Sequence, residues 1–249
     1  MLIDVIKNYR VINVSKGRIN WSQRNNEYMF IHPKNPKLIM DRNSMCNVTS
    51  ICMAASYNNW DFPDGEFQQP EDNFCKFLIT NQDVINFYRL AFPSLYADYE
   101  AGDDDCYFPN EIHLVLEYGF NRWMGINIDD FSDRRSIISI FNEIINNFSP
   151  VVMSGVFPYI NRFGRTTNLH HINVLVGLAY KNDNSEISEA TIPEYVIIDD
   201  PYGAWDENFA IHSNRNDIWM SYDKFIKFYK PQNTIYKYGH FLKKHIAIV

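Results

Sequence analysis

The spacing of hydrophobic and polar positions changes character near the middle of the chain. Before residue 150, apolar residues recur at the three-to-four spacing of a buried helical face. After it, short runs rich in β-branched residues are separated by turn-forming residues, which is typical of strands. Helices followed by a sheet predict an α+β fold, with the helices packed on an antiparallel sheet.

The helical pattern predicts five helices. They are a helix that begins near Cys46, and helices over residues 80–90, 111–118, 132–148 and 221–229. The second is expected to stop before Pro93 and the fourth before Pro150, because proline cannot continue a helix. Residues 58–75, with two prolines and a glycine, and the acidic residues 97–110 are expected to be loops.

The strand pattern predicts the sheet, and no linker separates two domains. The expected strands are residues 9–14, 151–153, 171–178, 195–198 and 245–249. Residues 1–45 otherwise carry no clear period and are expected to form an irregular N-terminal lead-in. We therefore expect a single domain over residues 1–249.

Composition and charge narrow the class of protein. Of 249 residues, 46 % are hydrophobic and 16 % aromatic, which is enough to build a sizeable core. The formal net charge of −7 and the lack of a basic run disfavour nucleic acid as a partner. The start of the chain does not resemble a signal peptide, and no apolar run reaches transmembrane length. The expected location is cytoplasmic at synthesis, with later release or phage delivery to a cell wall left open.

Cys46 is the first candidate for chemistry. Polar residues precede it, and apolar residues at positions 48, 51, 52 and 55 follow, so it lies in the first turn of the predicted helix. The positive end of a helix favours a thiolate over a thiol. Cys52 lies inside the apolar stripe and is expected to be an inert buried thiol. The four cysteines are too few and too widely spaced for a disulfide framework or a metal site.

A thiol nucleophile needs a base, and the base needs a third group that orients it. His170 and His171 open a predicted strand, and alternation puts His171 on the more polar face with Asn173. Two carboxylates, Asp199 and Asp200, end the next strand. The proline that follows holds Asp200 in extended backbone, which favours it as the orienting acid, and Asp199 remains the alternative.

An oxyanion formed during acyl transfer needs a hydrogen-bond donor, commonly a side-chain amide beside a backbone N–H. The amides that precede the cysteine are Gln23, Asn25, Asn26, Asn35 and Asn43. Their spacing does not choose among them. The aromatic residues Tyr202 and Trp205 follow the acid closely enough for one of them to line a substrate subsite.

Four segments in this order resemble the papain-like cysteine peptidases and, more narrowly, the C39-like peptidase group. They are residues 46–50 followed by Met53, and residues 149–155, 171–177 and 198–203. Together they cover most of residues 23–205. Asn-Val follows the cysteine where many relatives have Gly-Pro, a form that looks like a lysin-like subset from phage and bacteria.

The resemblance implies a papain-like fold in which N-terminal helices pack on a C-terminal antiparallel sheet. It implies Cys46 as nucleophile, His171 as general acid/base and Asp200 as orienting acid. It also implies an oxyanion-hole glutamine, for which the fragment at 22–26 points to Gln23, although that residue lies far upstream. Asn43 stays the alternative donor.

The expected reaction is hydrolysis of a peptide or amide bond through a thioester, without a metal or an organic cofactor. The expected partner is a peptide, a protein or the peptide part of peptidoglycan. One alternative is an endolysin-type peptidoglycan hydrolase, either an endopeptidase or an amidase. Another is a catalytically silent module that binds peptides.

Overall fold

The computed structural model of the protein describes most of the chain. The described residues are 4–6, 8–15, 21–58, 62, 64–103, 123–127, 134–183, 186–188, 190–210, 216–229 and 238–242. Within them the fold is α+β, with the helices concentrated in the N-terminal half and a mostly antiparallel sheet in the C-terminal half.

Six α-helices and ten strands lie in this part of the chain. The helices are α1 (Cys46–Tyr57), α2 (Pro70–Thr80), α3 (Gln82–Ala91), α4 (Pro93–Ala101), α5 (Arg134–Ile145) and α6 (Tyr222–Tyr229). The strands are β1 (Asp4–Ile6), β2 (Tyr9–Asn13), β3 (Phe30–His32), β4 (Asn35–Met40), β5 (Trp123–Asn127), β6 (Val151–Ile160), β7 (Thr166–Lys181), β8 (Tyr195–Asp199), β9 (Ile218–Ser221) and β10 (Tyr238–Leu242). Short 3-10 helices span Gln23–Asn25 and Trp205–Glu207.

Strand β7 is the centre of the main sheet. The sheet runs β1-β2-β7-β6-β10-β5, and β8 pairs with β7 and then with β9, all antiparallel. The 16 residues of β7 are long enough to pair with β6 along one part and with β2 and β8 along another. Side chains from three neighbouring strands therefore meet along β7, which is what brings distant residues to one place.

Helix α1 is buried in the core and packs on β7 and β6. The sequence predicted one apolar face, but residues 47–55 are all buried, polar ones included. The hydroxyl of Ser50 donates to the carbonyl of Ile172 at 2.9 Å, which fixes the helix against β7 one residue from His171. Helix α2 packs on α1, and α3 and α4 follow it.

The N-terminal segment is more regular than its sequence predicted. Strand β2 joins the main sheet through β7, from Tyr9 opposite Lys181 to Asn13 opposite Gly177. A Cβ at Gly177 would lie 2.5 Å from the carbonyl oxygen of Ile12, so glycine permits this close approach. Strands β3 and β4 form a separate hairpin. The expectation of an irregular lead-in apart from residues 9–14 was therefore wrong.

Two helices were missed because proline was interpreted only as a helix breaker. Pro70 and Pro93 occupy the first turns of α2 and α4, where a proline leaves no helical hydrogen bond unmade. The expected loops at 58–75 and 97–110 are correspondingly shorter. The helix at 80–90 appears as α3, the one at 132–148 as α5, and the one at 221–229 as α6. The predicted helix at 111–118 and strand at 245–249 lie outside the described residues.

Candidate active site

Cys46 is the first residue of α1, as the sequence predicted. Met45 precedes the helix and gives it no side-chain cap, while the side chain of Asn47 accepts from the N–H of Val48 at 2.7 Å. The thiol is half-buried. At this end of a helix the first backbone N–H groups have no partner within the helix, and the dipole is at its positive end.

The other two described cysteines lie in a different environment. Cys52 and Cys75 are completely buried, and burial raises the pKa of each thiol well above its ordinary value. The charges of nearby Glu71 and Asp72 raise these pKa values further. Both groups therefore stay neutral thiols, as the sequence predicted for Cys52.

His171 lies on β7 directly opposite Gly155 of β6 and is buried. Its ring packs edge-on against Phe157 and Phe209, with centroids 6.1 and 5.6 Å away. Nε2 lies 2.7 Å from Oδ1 of Asp200, and the Cys46 thiol is close enough to raise the pKa of the ring. Since Nε2 is taken by the carboxylate, Nδ1 is the nitrogen left for the sulfur.

Opposing effects act on the imidazole. Burial lowers the pKa of His171, but the Asp200 charge, the hydrogen bond to Asp200 and the contact with Cys46 outweigh burial and raise it to about 10. The protonated ring is therefore favoured at neutral pH. An imidazolium beside the helix N-terminus is the setting in which a cysteine thiolate is stabilised.

Asp200 is held at the end of β8 by the backbone that follows it. Its Oδ1 accepts from the N–H of Tyr202 at 2.8 Å and of Gly203 at 3.1 Å, besides the contact with His171. The side chain is 2 % exposed. This turn after Pro201 fixes the carboxylate, which is the role that the extended backbone before a proline suggested.

Asp199 has different partners. It accepts from the hydroxyl of Tyr57 at 2.5 Å and from the N–H of Asp217 at 2.7 Å. Burial raises the pKa of Asp199 to about 6, although both hydrogen bonds lower it and the neighbouring charges raise it. Of the two carboxylates left open by the sequence, the structure therefore brings Asp200 to the histidine.

Gln23 is buried against the turn that precedes α1. Its amide nitrogen donates to the carbonyl of Arg42 at 3.0 Å and more weakly to that of Asn43 at 3.5 Å. Its backbone N–H donates to the carbonyl of Pro201 at 3.0 Å, beside the acid. The alternative donor Asn43 is exposed, and its amide donates to Asp41 at 3.3 Å.

A layer of two residues behind the acid was not identified as functional from the sequence. The amide of Asn173 donates to Oδ2 of Asp200 at 3.4 Å, and the hydroxyl of Tyr229 donates to the amide oxygen of Asn173 at 2.6 Å. Alternation along the strand put Asn173 on the same face as His171, and this was the sequence feature that could have identified it. Tyr229 comes from α6, 56 residues further along the chain, and no local pattern marks it.

Arg24 stabilises the loop that follows Asp200 through a cation–π contact and hydrogen bonds. Its guanidinium lies 3.7 Å from the ring centroid of Tyr202 and donates to the carbonyls of Tyr202 at 2.8 Å and Phe209 at 2.5 Å. The centroid of the Tyr202 ring also lies 6.0 Å from that of the His171 imidazole. Trp205 instead packs on Phe228, so Tyr202 is the aromatic residue nearer to the histidine.

The described part of the chain contains neither a metal-binding cluster nor a helix that could span a membrane. Among the residues that the structure describes, no three His, Cys, Asp or Glu side chains cluster in a way that would hold a metal ion. No helix in these described ranges is long and apolar enough to cross a membrane.

The arrangement of helix, sheet and side chains is that of a papain-like protein, with a cysteine at a helix start and a His–Asp pair on neighbouring strands. Comparison with protein families agrees, since the model of the Peptidase_C39-like family matches residues 19–230. The chain belongs to this Peptidase_C39-like family. No curated protein and no solved structure matches it significantly.

Proposed function

We propose that the protein is a cysteine peptidase that hydrolyses peptide or amide bonds through a Cys46-His171-Asp200 triad. The observation that carries the proposal is the buried imidazole of His171, which lies close to a cysteine at a helix N-terminus and shares a hydrogen bond with a fixed carboxylate. Membership of a peptidase family supports the same reaction class.

In the first half of the reaction the Cys46 sulfur attacks the carbonyl carbon of the scissile bond. The proton of the thiol has moved to His171, so the attacking species is a thiolate and the ring is an imidazolium. The tetrahedral intermediate collapses when His171 gives this proton to the leaving nitrogen. An amine leaves, and a thioester joins the acyl group to the sulfur.

In the second half, neutral His171 takes a proton from water as the water attacks the thioester. Collapse of the second tetrahedral intermediate returns the proton to the sulfur and releases a carboxylic acid. Asp200 keeps Nε2 engaged through both halves, so the same ring nitrogen always faces the reaction. No redox partner or cofactor enters the balance.

Gln23 is our candidate for the oxyanion donor, beside the backbone N–H of Cys46. Its amide nitrogen lies against the turn that leads into α1, and its backbone is tied to the residue after the acid. A donor held by both sides of the site is preorganised, which is what stabilisation of a developing charge requires. Asn43 is less suited because it is exposed.

The decisive test is selective alkylation. Iodoacetamide at low excess, followed by peptide mapping, should label Cys46 first, because Cys52 and Cys75 are buried neutral thiols. His171→Ala should slow the labelling of Cys46 itself, because the imidazole that takes the thiol proton is gone. Cys75→Ala serves as the matched control, and should leave both the labelling of Cys46 and the turnover of substrate unchanged. Equal, slow labelling of every cysteine would overturn the proposal.

Turnover assays then define the substrate. Cleavage of an unfolded protein and release of peptide fragments from purified cell walls should be measured side by side, each with a Cys46→Ala control. Activity on protein alone supports a protein or leader peptidase. Activity on walls alone supports the endolysin-type hydrolase. Selective labelling with no turnover of either substrate would favour the silent peptide-binding module.

A further inference from the structure

We propose that Asn173 and Tyr229 are positioning residues that orient the Asp200 carboxylate toward His171 and so couple helix α6 to the triad. This inference rests on the proposed function for its kinetic consequences. The orientation of the carboxylate by these two side chains is inferred directly from their hydrogen bonds and does not depend on the proposed function.

The two oxygens of Asp200 have unequal surroundings. Oδ1 receives three donors, namely His171 and the backbone N–H groups of Tyr202 and Gly203. The amide of Asn173 donates to the second oxygen, Oδ2, at 3.4 Å, so both oxygens of the carboxylate take part in hydrogen bonds.

The strand register explains why Asn173 holds this place. Strand β8 pairs with β7 through Val174 opposite Asp199, so the next position along brings Asp200 beside Asn173. Asn173 also lies two residues beyond His171, which puts both side chains on one face of β7. The base and the residue that steers its acid are therefore carried by the same strand.

An asparagine amide by itself does not fix which end faces the acid. The Asp200 carboxylate only accepts, so the NH₂ end of the amide faces it, and the Tyr229 hydroxyl donates to the remaining amide oxygen at 2.6 Å. Burial raises the pKa of Tyr229 well above its ordinary value; the Asn173 hydrogen bond lowers it and the Asp200 charge raises it. The hydroxyl therefore remains a donor over the whole working range of pH.

Close packing holds the Tyr229 ring in place. It contacts Phe157 edge-on at 5.6 Å and Phe225 at 5.0 Å between centroids. A Cβ at Gly155, which faces His171 across the strands, would lie 2.8 Å from the Phe157 ring and 3.1 Å from the Tyr229 ring. The absence of a side chain at Gly155 is therefore what leaves room for the Tyr229 ring.

The test removes one oxygen atom. Tyr229→Phe keeps the ring and its packing but deletes the donor, and Tyr222→Phe makes the same change elsewhere on α6 as the matched control. We expect Tyr229→Phe to lower kcat about tenfold with KM nearly unchanged, the effect of one lost hydrogen bond. Tyr222→Phe should behave as the wild type.

The pH profile separates positioning from simple loss of stability. Asp200 supports the protonated imidazole, so a loosened carboxylate should move the alkaline limb of Cys46 alkylation to lower pH in Tyr229→Phe. A purely structural role would lower Tm and leave this limb in place. Asn173→Ala removes the donor to Asp200 directly and should move the limb at least as far, which keeps the test open if one variant folds poorly.

An activity-independent readout distinguishes failure of this inference from failure of the proposed function. The proton shared by His171 Nε2 and Asp200 gives a downfield NMR signal, which should shift in Tyr229→Phe but not in Tyr222→Phe. If the signal shifts but the protein has no peptidase activity, the positioning role of Asn173 and Tyr229 is supported and the proposed peptidase function is rejected. An active wild type whose Tyr229→Phe variant matches it in kcat, pH profile and NMR signal would overturn the positioning pair.

Discussion

Glu71 should make the stability of this protein fall as the pH rises. The residue lies in the first turn of α2, is 0 % exposed, and its carboxyl oxygens have no hydrogen-bond partner on any other residue that the structure describes. Burial raises the pKa of Glu71 from 4.5 to about 7, its own backbone N–H lowers it, and the charge of Asp72 raises it.

The direction of this pH dependence follows from the difference between the pKa of Glu71 in the folded chain and its pKa in the unfolded chain. The unfolded chain releases this proton near pH 4.5 and the folded chain only near pH 7, so ionisation favours unfolding. Glu71 contributes most to the free energy of unfolding below pH 4.5, where its carboxyl is protonated in both states. This contribution is lost progressively as the pH rises to about 7, and the full loss is about 3 kcal/mol.

The perturbation is Glu71→Gln, which keeps the shape of the protonated side chain and cannot ionise. Urea and thermal unfolding should give similar stabilities for variant and wild type at about pH 5, where the wild-type carboxyl is protonated. At about pH 8.5 the variant should be the more stable by up to about 3 kcal/mol, on the order of 10 °C in Tm. Glu100→Gln on the exposed face of α4 should show no such dependence on pH.

A stability difference that is the same at both pH values would refute this reasoning. So would a difference that grows toward acid, because that would mean the folded protein stabilises the carboxylate instead of the carboxylic acid. Because Glu71 lies near Cys52 on α1, alkaline loosening should also appear as slow labelling of Cys52 in the wild type and not in Glu71→Gln.

Three further predictions test other contacts of the site. Gly155→Ala should destabilise the fold by about 1–3 kcal/mol in urea unfolding, because the added methyl would lie 2.8 Å from an aromatic ring carbon. Asp200→Asn should leave the circular dichroism spectrum unchanged but lower kcat/KM by about tenfold or more. The alkaline limb of the pH profile for Cys46 alkylation should move to lower pH, because the charge that raises the pKa of His171 is removed. Arg24→Lys should cost about 1–2 kcal/mol of unfolding free energy, since lysine cannot stack on Tyr202 and donate to two carbonyls together.

The sequence predicted the positions of the candidate residues well where one local rule governs them. A polar stretch before an apolar helical pattern marks a helix start, and that rule alone put Cys46 at the beginning of α1. Alternation along a strand separated His171 from its exposed neighbour His170. The proline after Asp200 favoured it over Asp199, and Asp200 is the carboxylate that contacts the imidazole.

The features that were missed depend on packing between distant segments. Tyr229 acts through a hydrogen bond to a strand 56 residues earlier, and an apolar helix face carries no sign of such a contact. The burial of α1 on all sides follows from its place between the sheet and α2, so its sequence showed only part of its apolar surface. Pro70 was misinterpreted because the same residue ends one element or begins the next.

The central strand also has a consequence for biosynthesis. Strand β2 can pair with β7 only when residues 177–181 exist, and Cys46 can meet His171 and Asp200 only after those residues have been translated. Pairings this remote in sequence form late and slowly. Under the proposed function, a nascent chain would carry its nucleophile long before the groups that activate it, and an unfinished fragment would not yet be reactive.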